Sequence, residues 1–400
     1  MWHRMLIATS LLLAAFESSR SQVLPATTAE AQRMEAADAL PASALYATPV
    51  DLSRSKRGDL LGQETVSGYT LPLSGAVRIL YHSTDGLGHE VATSAVILLP
   101  HGRRPAAGWP VIAWAHGTSG EAVQCAPSLM KDVYYGDEGL MDMLGAGFAV
   151  VATDYHGLGT PGPHLWVNKE AQAWDVIYAV SAAQAAVKEL SRQWVADGHS
   201  QGGLATWGVA ELESTLEDAG YLGAVSVSGT SRLDEFVSYI NGNPGGYNYL
   251  TYLAASLGAL DAGFNPVTFL SDQVMQHYED SVQRGCWYYG YALYKDLPRG
   301  TGVRSGWREI PALQRLQQKS ELGAVHLAKP IFVITGEADA TVPVNSARDI
   351  IARACKTGSV IEFKIYPGLD HDPTMIKSLP AQLRWIRQRF KGVQAKSSCH

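Results

Sequence analysis

The chain has 400 residues, 46% of them hydrophobic and 18% charged, enough apolar content for a large interior and too much for a disordered protein. Its 32 basic and 38 acidic residues give a net charge of -6 with no long basic run, so nucleic acid is excluded as an expected partner. What remains is a small molecule or a lipid as substrate, and one large core carrying an inserted piece.

Met1 to Arg4 is positively charged, Leu6 to Phe16 is apolar, and small polar residues follow through Gln22, the pattern of a signal peptide over residues 1–22. A buried N-terminal helix is the alternative. The apolar run is shorter than the roughly 20 residues a membrane span needs. Export to a secreted or periplasmic location is expected from this pattern, and no apolar run elsewhere is long enough to cross a bilayer, so stable membrane insertion is not expected. Residues 23–65 are rich in Ala, Ser and charge without alternation, and read as a loosely held segment. Ala76–His82 and Glu90–Leu99 then read as two strands of a hairpin turned at Asp85-Gly86-Leu87-Gly88.

From Trp109 onward short apolar runs alternate with helical patterns, as in a parallel sheet covered on both faces. The expected strands are Val111–Ala115, Phe148–Thr153, Gln193–Ala196, Ala224–Val227, Ile331–Thr335 and Val360–Tyr366; the expected helices are Asn168–Leu190, Gln201–Glu213 and Ser378–Phe390. The fold class is therefore α/β, a mostly parallel doubly wound sheet, with the core in residues 66–230 and 328–400. Residues 231–327 break the alternation and hold nine of the 18 tyrosines, which reads as an inserted cap whose aromatics wall an apolar pocket or fill the cap's own core.

Cys125, Cys286, Cys355 and Cys399 lack CxxC spacing, which argues against zinc and a redox motif. An even number in an exported chain favours disulfides. Of three possible pairings, Cys125 with Cys286 and Cys355 with Cys399 is favoured; four free buried thiols is the alternative.

Gly198-His199-Ser200-Gln201-Gly202 lies between a strand and a helix, so Ser200 must occupy a sharp turn in which Gly198 and Gly202 avoid collision with neighbouring backbone. A serine hydroxyl is a weak nucleophile until an imidazole removes its proton. His371, after the last strand, is the expected base; His199 sits within the elbow and is expected to point away. Asp339, after Ile331–Thr335, is expected to orient the imidazole, with Glu337 as its rival and Asp370 and Asp372 too close to His371 to reach round its ring. The order Ser, Asp, His suits this architecture. The oxyanion of an acyl-transfer intermediate needs N–H donors, expected from Gln201 and from Thr118, with Gly117 as the competing choice.

His116-Gly117-Thr118, Asp154-Tyr155-His156-Gly157-Leu158-Gly159, the elbow, the Asp339 segment and His371 together resemble the secretory lipases of the α/β-hydrolase superfamily, over residues of about 110 to 372. The resemblance implies a largely helical lid, activity on carboxylic esters including acylglycerols, no cofactor or metal, and the cysteine pairing favoured above. It implies ester or lipid substrates with transient contact at a lipid interface. Asp154 is expected to brace the loops. A peptidase of prolyl-oligopeptidase type shares the triad order, but no propeller-sized region precedes the core; a non-catalytic or acyl-transferring member of the same fold is a third possibility.

Overall fold

β4 (Trp109–Ala115) shows why the middle of the chain forms a two-sided sheet: Val111, Ala113 and Ala115 enter one apolar cluster and Ile112 and Trp114 the other. With both faces buried, the alternation of side chains no longer shows as alternation of polarity. Residues 23–47, 51–134, 138–229 and 232–399 are described by the computed structural model. The remaining strands are β1 (Leu60–Val66), β2 (Leu73–Thr84), β3 (Glu90–Pro100), β5 (Ala149–Thr153), β6 (Leu190–His199), β7 (Tyr221–Val227), β8 (Ile331–Gly336) and β9 (Ile361–Tyr366).

They lie in the order β1-β2-β3-β5-β4-β6-β7-β8-β9. β1, β2 and β3 pair antiparallel, β3 meets β5 antiparallel, and every pairing from β5 to β9 is parallel. The chain leaves β4 toward β5 on one side and returns to β6 on the other. That reversal opens a crevice at the carboxyl ends of β4 and β6, where open α/β sheets bind ligands. Helices Lys169–Ala186, Gln201–Leu216 and Val344–Lys356 pack on one face; Leu140–Gly145 and His371–Phe390 pack on the other.

Between β7 and β8 the chain is mainly helical, including Leu233–Asn241, Tyr247–Leu260, Trp287–Tyr294 and Pro311–Lys319. Leu250, Tyr252, Leu253 and Leu257 are fully buried in the same cluster as Ala113. These helices thus share the core of the sheet as well as covering its end.

Residues 23–65 depart from the expected loose segment. Thr28–Asp38 is a helix capped by the Thr27 side chain, and β1 closes one edge of the sheet. Met34 is the one large apolar side chain of this helix; Ala31 and Met34 pack against Tyr288 and Tyr289, so tertiary contact holds what composition did not announce. The expected signal peptide lies outside the described residues. The last helix begins at His371 rather than Ser378 because Pro373 falls in the first turn, where its missing N–H has no intrahelical role, and Pro380 is accommodated inside.

Both favoured disulfides are formed, Cys125–Cys286 and Cys355–Cys399 with Cα separations of 5.4 and 5.3 Å. The second ties the C-terminal tail to the helix Val344–Lys356. There the Ser398 N–H donates to the Ile361 carbonyl at 2.7 Å, and its hydroxyl accepts from Phe363 N–H at 3.0 Å, so the tail occupies part of the free side of β9.

Candidate active site

Ser200 separates β6 from the helix Gln201–Leu216 at φ 57° and ψ -117°, a conformation that a side-chain-bearing residue adopts only under constraint. The constraint is visible on both sides. A Cβ on Gly202 would stand 1.8 Å from the Ala115 carbonyl oxygen, and one on Gly198 2.6 Å from that of Gly202. Only glycine lets β4, β6 and the following helix approach this closely, and the turn lifts the Ser200 hydroxyl above the sheet edge.

His371 Nε2 lies 2.9 Å from Ser200 Oγ, and His371 Nδ1 lies 2.9 Å from Asp339 Oδ2. Asp339 is 4% exposed, and its other oxygen accepts the Val342 N–H at 2.7 Å. Serine hydroxyl, imidazole and carboxylate form one line, the arrangement in which a ring can take a proton at one nitrogen while a carboxylate stabilises the resulting cation. Glu337, the sequence rival of Asp339, instead accepts from the Gly368 N–H, and Asp370 caps the helix that begins at His371.

Burial alone would drive the His371 pKa down, but the charge and hydrogen bond of Asp339, reinforced by Asp372 and Glu138, outweigh it and push the ring up to about 9. Burial works to raise Asp339 as well; the charge and hydrogen bond of His371 and the Val342 N–H overcome it and hold the carboxyl below its ordinary value. The pair therefore favours the imidazolium, the form that follows proton transfer from serine.

His199 does not point away from this line. Its ring centroid is 4.7 Å from that of His371, and its Nδ1 lies 3.0 Å from Glu138 Oε1, a second carboxylate–imidazole pair packed against the first. The sequence carried no signal for Glu138, which sits 61 positions from His199. His199, His371 and Asp372 could each offer a ligand atom within 4.8 Å of one another. Both His371 nitrogens are engaged by Ser200 and Asp339, which leaves that ring no donor for an ion.

Of the expected oxyanion donors, Gln201 and Thr118 line the cavity that holds Ser200 and His371. Gly117 lies behind them: its carbonyl oxygen is 2.5 Å from His116 Nδ1, and a Cβ there would meet the Tyr134 hydroxyl at 2.8 Å. The loop carrying Thr118 is fixed by its neighbours. Trp287 N–H donates to the Ser119 carbonyl at 2.9 Å, the Tyr134 hydroxyl donates to the Thr118 carbonyl at 3.1 Å, and the Cys125–Cys286 disulfide ties the adjoining segment to the helix Trp287–Tyr294. Asp154 accepts from the Ser94 hydroxyl at 2.6 Å and from the Ser128 N–H and hydroxyl at 2.7 and 2.5 Å, a bracing contact at the end of β5.

The cavity holds about 860 Å³ and is walled by Trp166, Leu233, Phe236, Ile240, Tyr249 and Trp287, with Leu24 reaching it from the N-terminal segment. Trp166 stacks on Tyr249 at 5.9 Å, and the Trp287 indole N–H donates to the Tyr249 hydroxyl at 2.7 Å. Such a space is large enough for a flexible apolar chain, and its lining also carries polar groups, Asn243, Lys295 and Arg299 as well as those around Ser200 and His371.

The family model for secretory lipases matches residues 132–398, well over half of the sequence. The chain belongs to the secretory lipase family. Among curated relatives, it is 27% identical over 217 residues to the secreted triacylglycerol lipase LIP2 of Malassezia furfur and 24% identical over 215 residues to LIP7 of Malassezia globosa. Each match takes in 50% of this chain and 45% of the relative, so the chain spans about half the length of the curated relatives it matches. Among solved structures, Candida antarctica lipase A in its closed state aligns with a TM-score of 0.72 at 21% identity, over 90% of this chain and 89% of that one. The rice cell wall degrading esterase LipA of Xanthomonas oryzae aligns at 0.69 and 18% identity, over 84% and 98%. These likenesses carry the fold, which is that of the α/β-hydrolases.

Proposed function

We propose that this secretory lipase family member hydrolyses carboxylic esters, acylglycerols among them, through an acyl-enzyme formed on Ser200. The single observation behind this reading is the line Ser200–His371–Asp339, with both contacts at 2.9 Å, opening into an aromatic-walled cavity. His371 Nε2 takes the Ser200 proton as the oxygen adds to the ester carbonyl, and the carbonyl electron pair moves onto its oxygen. Collapse of that intermediate expels the alcohol, which receives the proton from His371, and water repeats the sequence to release the acid. Backbone N–H groups of Gln201 and Thr118 receive the oxyanion. Residues 231–327 serve as the cap, whose aromatic wall favours an apolar acyl chain over a peptide.

Export is part of the same reading, supported by the family and by two disulfides. No helix among the described residues is long and apolar enough to cross a membrane. The decisive experiment is turnover of p-nitrophenyl esters from acetyl to palmitoyl, with an arylamide peptide alongside. Ester turnover is expected to vanish in Ser200→Ala while the melting temperature stays near that of the parent. Undiminished turnover in that variant, or preference for the amide, overturns the reading.

A further inference from the structure

Thr118 is 6% exposed and borders the cavity next to Ser200 and Gln201. Its hydroxyl oxygen accepts the indole N–H of Trp166 at 2.9 Å, and Trp166 is itself 2% exposed. A threonine hydroxyl has one proton to give. Among the described residues, nothing accepts it: the contacts of Thr118 are the Trp166 indole on its side-chain oxygen and the Tyr134 hydroxyl on its carbonyl.

A hydroxyl whose oxygen already accepts a bond from the protein and whose proton has no protein acceptor is placed to donate into the cavity it borders, where the acceptor can arrive with the substrate. The indole fixes the oxygen and directs the lone proton away from Trp166. Accepting one hydrogen bond also polarises the hydroxyl and strengthens it as a donor. The neighbours are already held, because the Trp287 backbone N–H donates to the Ser119 carbonyl one residue on and the Trp166 ring packs in a three-ring cluster with Phe236 and Tyr249.

From this we infer that the Thr118 side-chain hydroxyl is a third oxyanion donor, added to the backbone N–H groups and held in place by Trp166. The inference rests on the reading of Ser200 as an acyl-transfer nucleophile. When the Ser200 oxygen bonds to the carbonyl carbon, the carbonyl electron pair becomes a lone pair on the oxygen, and the Thr118 proton hydrogen-bonds to that charge without transferring. That hydrogen bond is released when the carbonyl re-forms and the alcohol leaves with the proton carried by His371. Trp166 acts through Thr118 and is a positioning residue.

The test compares Thr118→Ser, Thr118→Val and Trp166→Phe in steady-state kinetics on a short-chain ester and on its thionoester, whose sulfur accepts hydrogen bonds poorly. Thr118→Val is expected to lower kcat about a hundredfold, the scale of losing one oxyanion donor, with KM changed less than about threefold. Thr118→Ser should keep kcat within about fivefold, and Trp166→Phe should fall between them. The wild-type penalty for the thionoester should shrink in Thr118→Val, a change that a packing defect would not produce. Equal losses in the serine and valine variants, or an unchanged thionoester penalty, overturn the inference. If Thr118→Val does not fold, the serine variant and the Trp166→Phe thionoester ratio decide it. Failure of the parent reading is seen separately, as ester turnover surviving in Ser200→Ala.

Discussion

At the scale of single residues, proton affinity is set by a few charges around one ring. Asp339 does most of the work on His371, and Asp372 and Glu138 add to it, so the imidazole titrates above its unperturbed value of 6.5, toward about 9. Only the neutral ring can act as base, so kcat/KM should rise with pH, its acid limb lying between those two values. Glu138→Gln removes one of the raising charges and the partner of His199; the limb should move to lower pH in a pH–rate profile. An unmoved limb would show that the His199–Glu138 pair has no electrostatic grip on His371. The meeting of Ser200, Asp339 and His371 was legible in the sequence because each follows a strand of a parallel sheet, and such ends converge. The placement of His199 was not. Its neighbour in the elbow fixes where its backbone goes, but its ring direction depends on Glu138, which comes from a distant loop with no motif of its own.

The helix Trp287–Tyr294 carries this dependence up to the level of elements. It supplies Trp287 and Tyr291 to the cavity, yet its first turn is satisfied from elsewhere: Glu35 accepts the Cys286 N–H at 3.0 Å and the Tyr289 N–H at 2.9 Å. Burial raises the Glu35 pKa, and these backbone bonds pull against it. The N-terminal helix Thr28–Asp38 therefore acts as a strut for one wall of the cavity, although nothing in its Ala- and Glu-rich sequence marks it as such. Glu35→Ala leaves those donors without a protein acceptor and should lower stability by about 1–2 kcal/mol in urea unfolding. It should also weaken long-chain esters more than acetyl esters, read as a rise in KM with chain length. A uniform KM would mean that the strut supports the fold without shaping the pocket.

Across the whole molecule, the order of elements and the burial of strands on both sides were readable from periodicity, because a parallel sheet writes itself as repeated apolar runs. The edges were harder. β1 was hidden in a polar stretch, since an outermost strand needs few apolar residues, and the first turn of the last helix was hidden by its prolines.

The opposite edge has its own arrangement, and it depends on redox state. β9 would leave backbone groups open to another chain, and the tail that engages Ile361 and Phe363 is held by a few hydrogen bonds, by the packing of Ala395 and Cys399 and by the Cys355–Cys399 disulfide. Reduction would free that tail, and Cys399→Ser should do the same without touching the site. The expected result is a protein that still turns over substrate but self-associates during incubation near its melting temperature, seen as growth in light scattering that the disulfide-bonded parent lacks. In that sense the last residues act as a seal against polymerisation, one that would hold in an oxidising compartment and loosen in a reducing one.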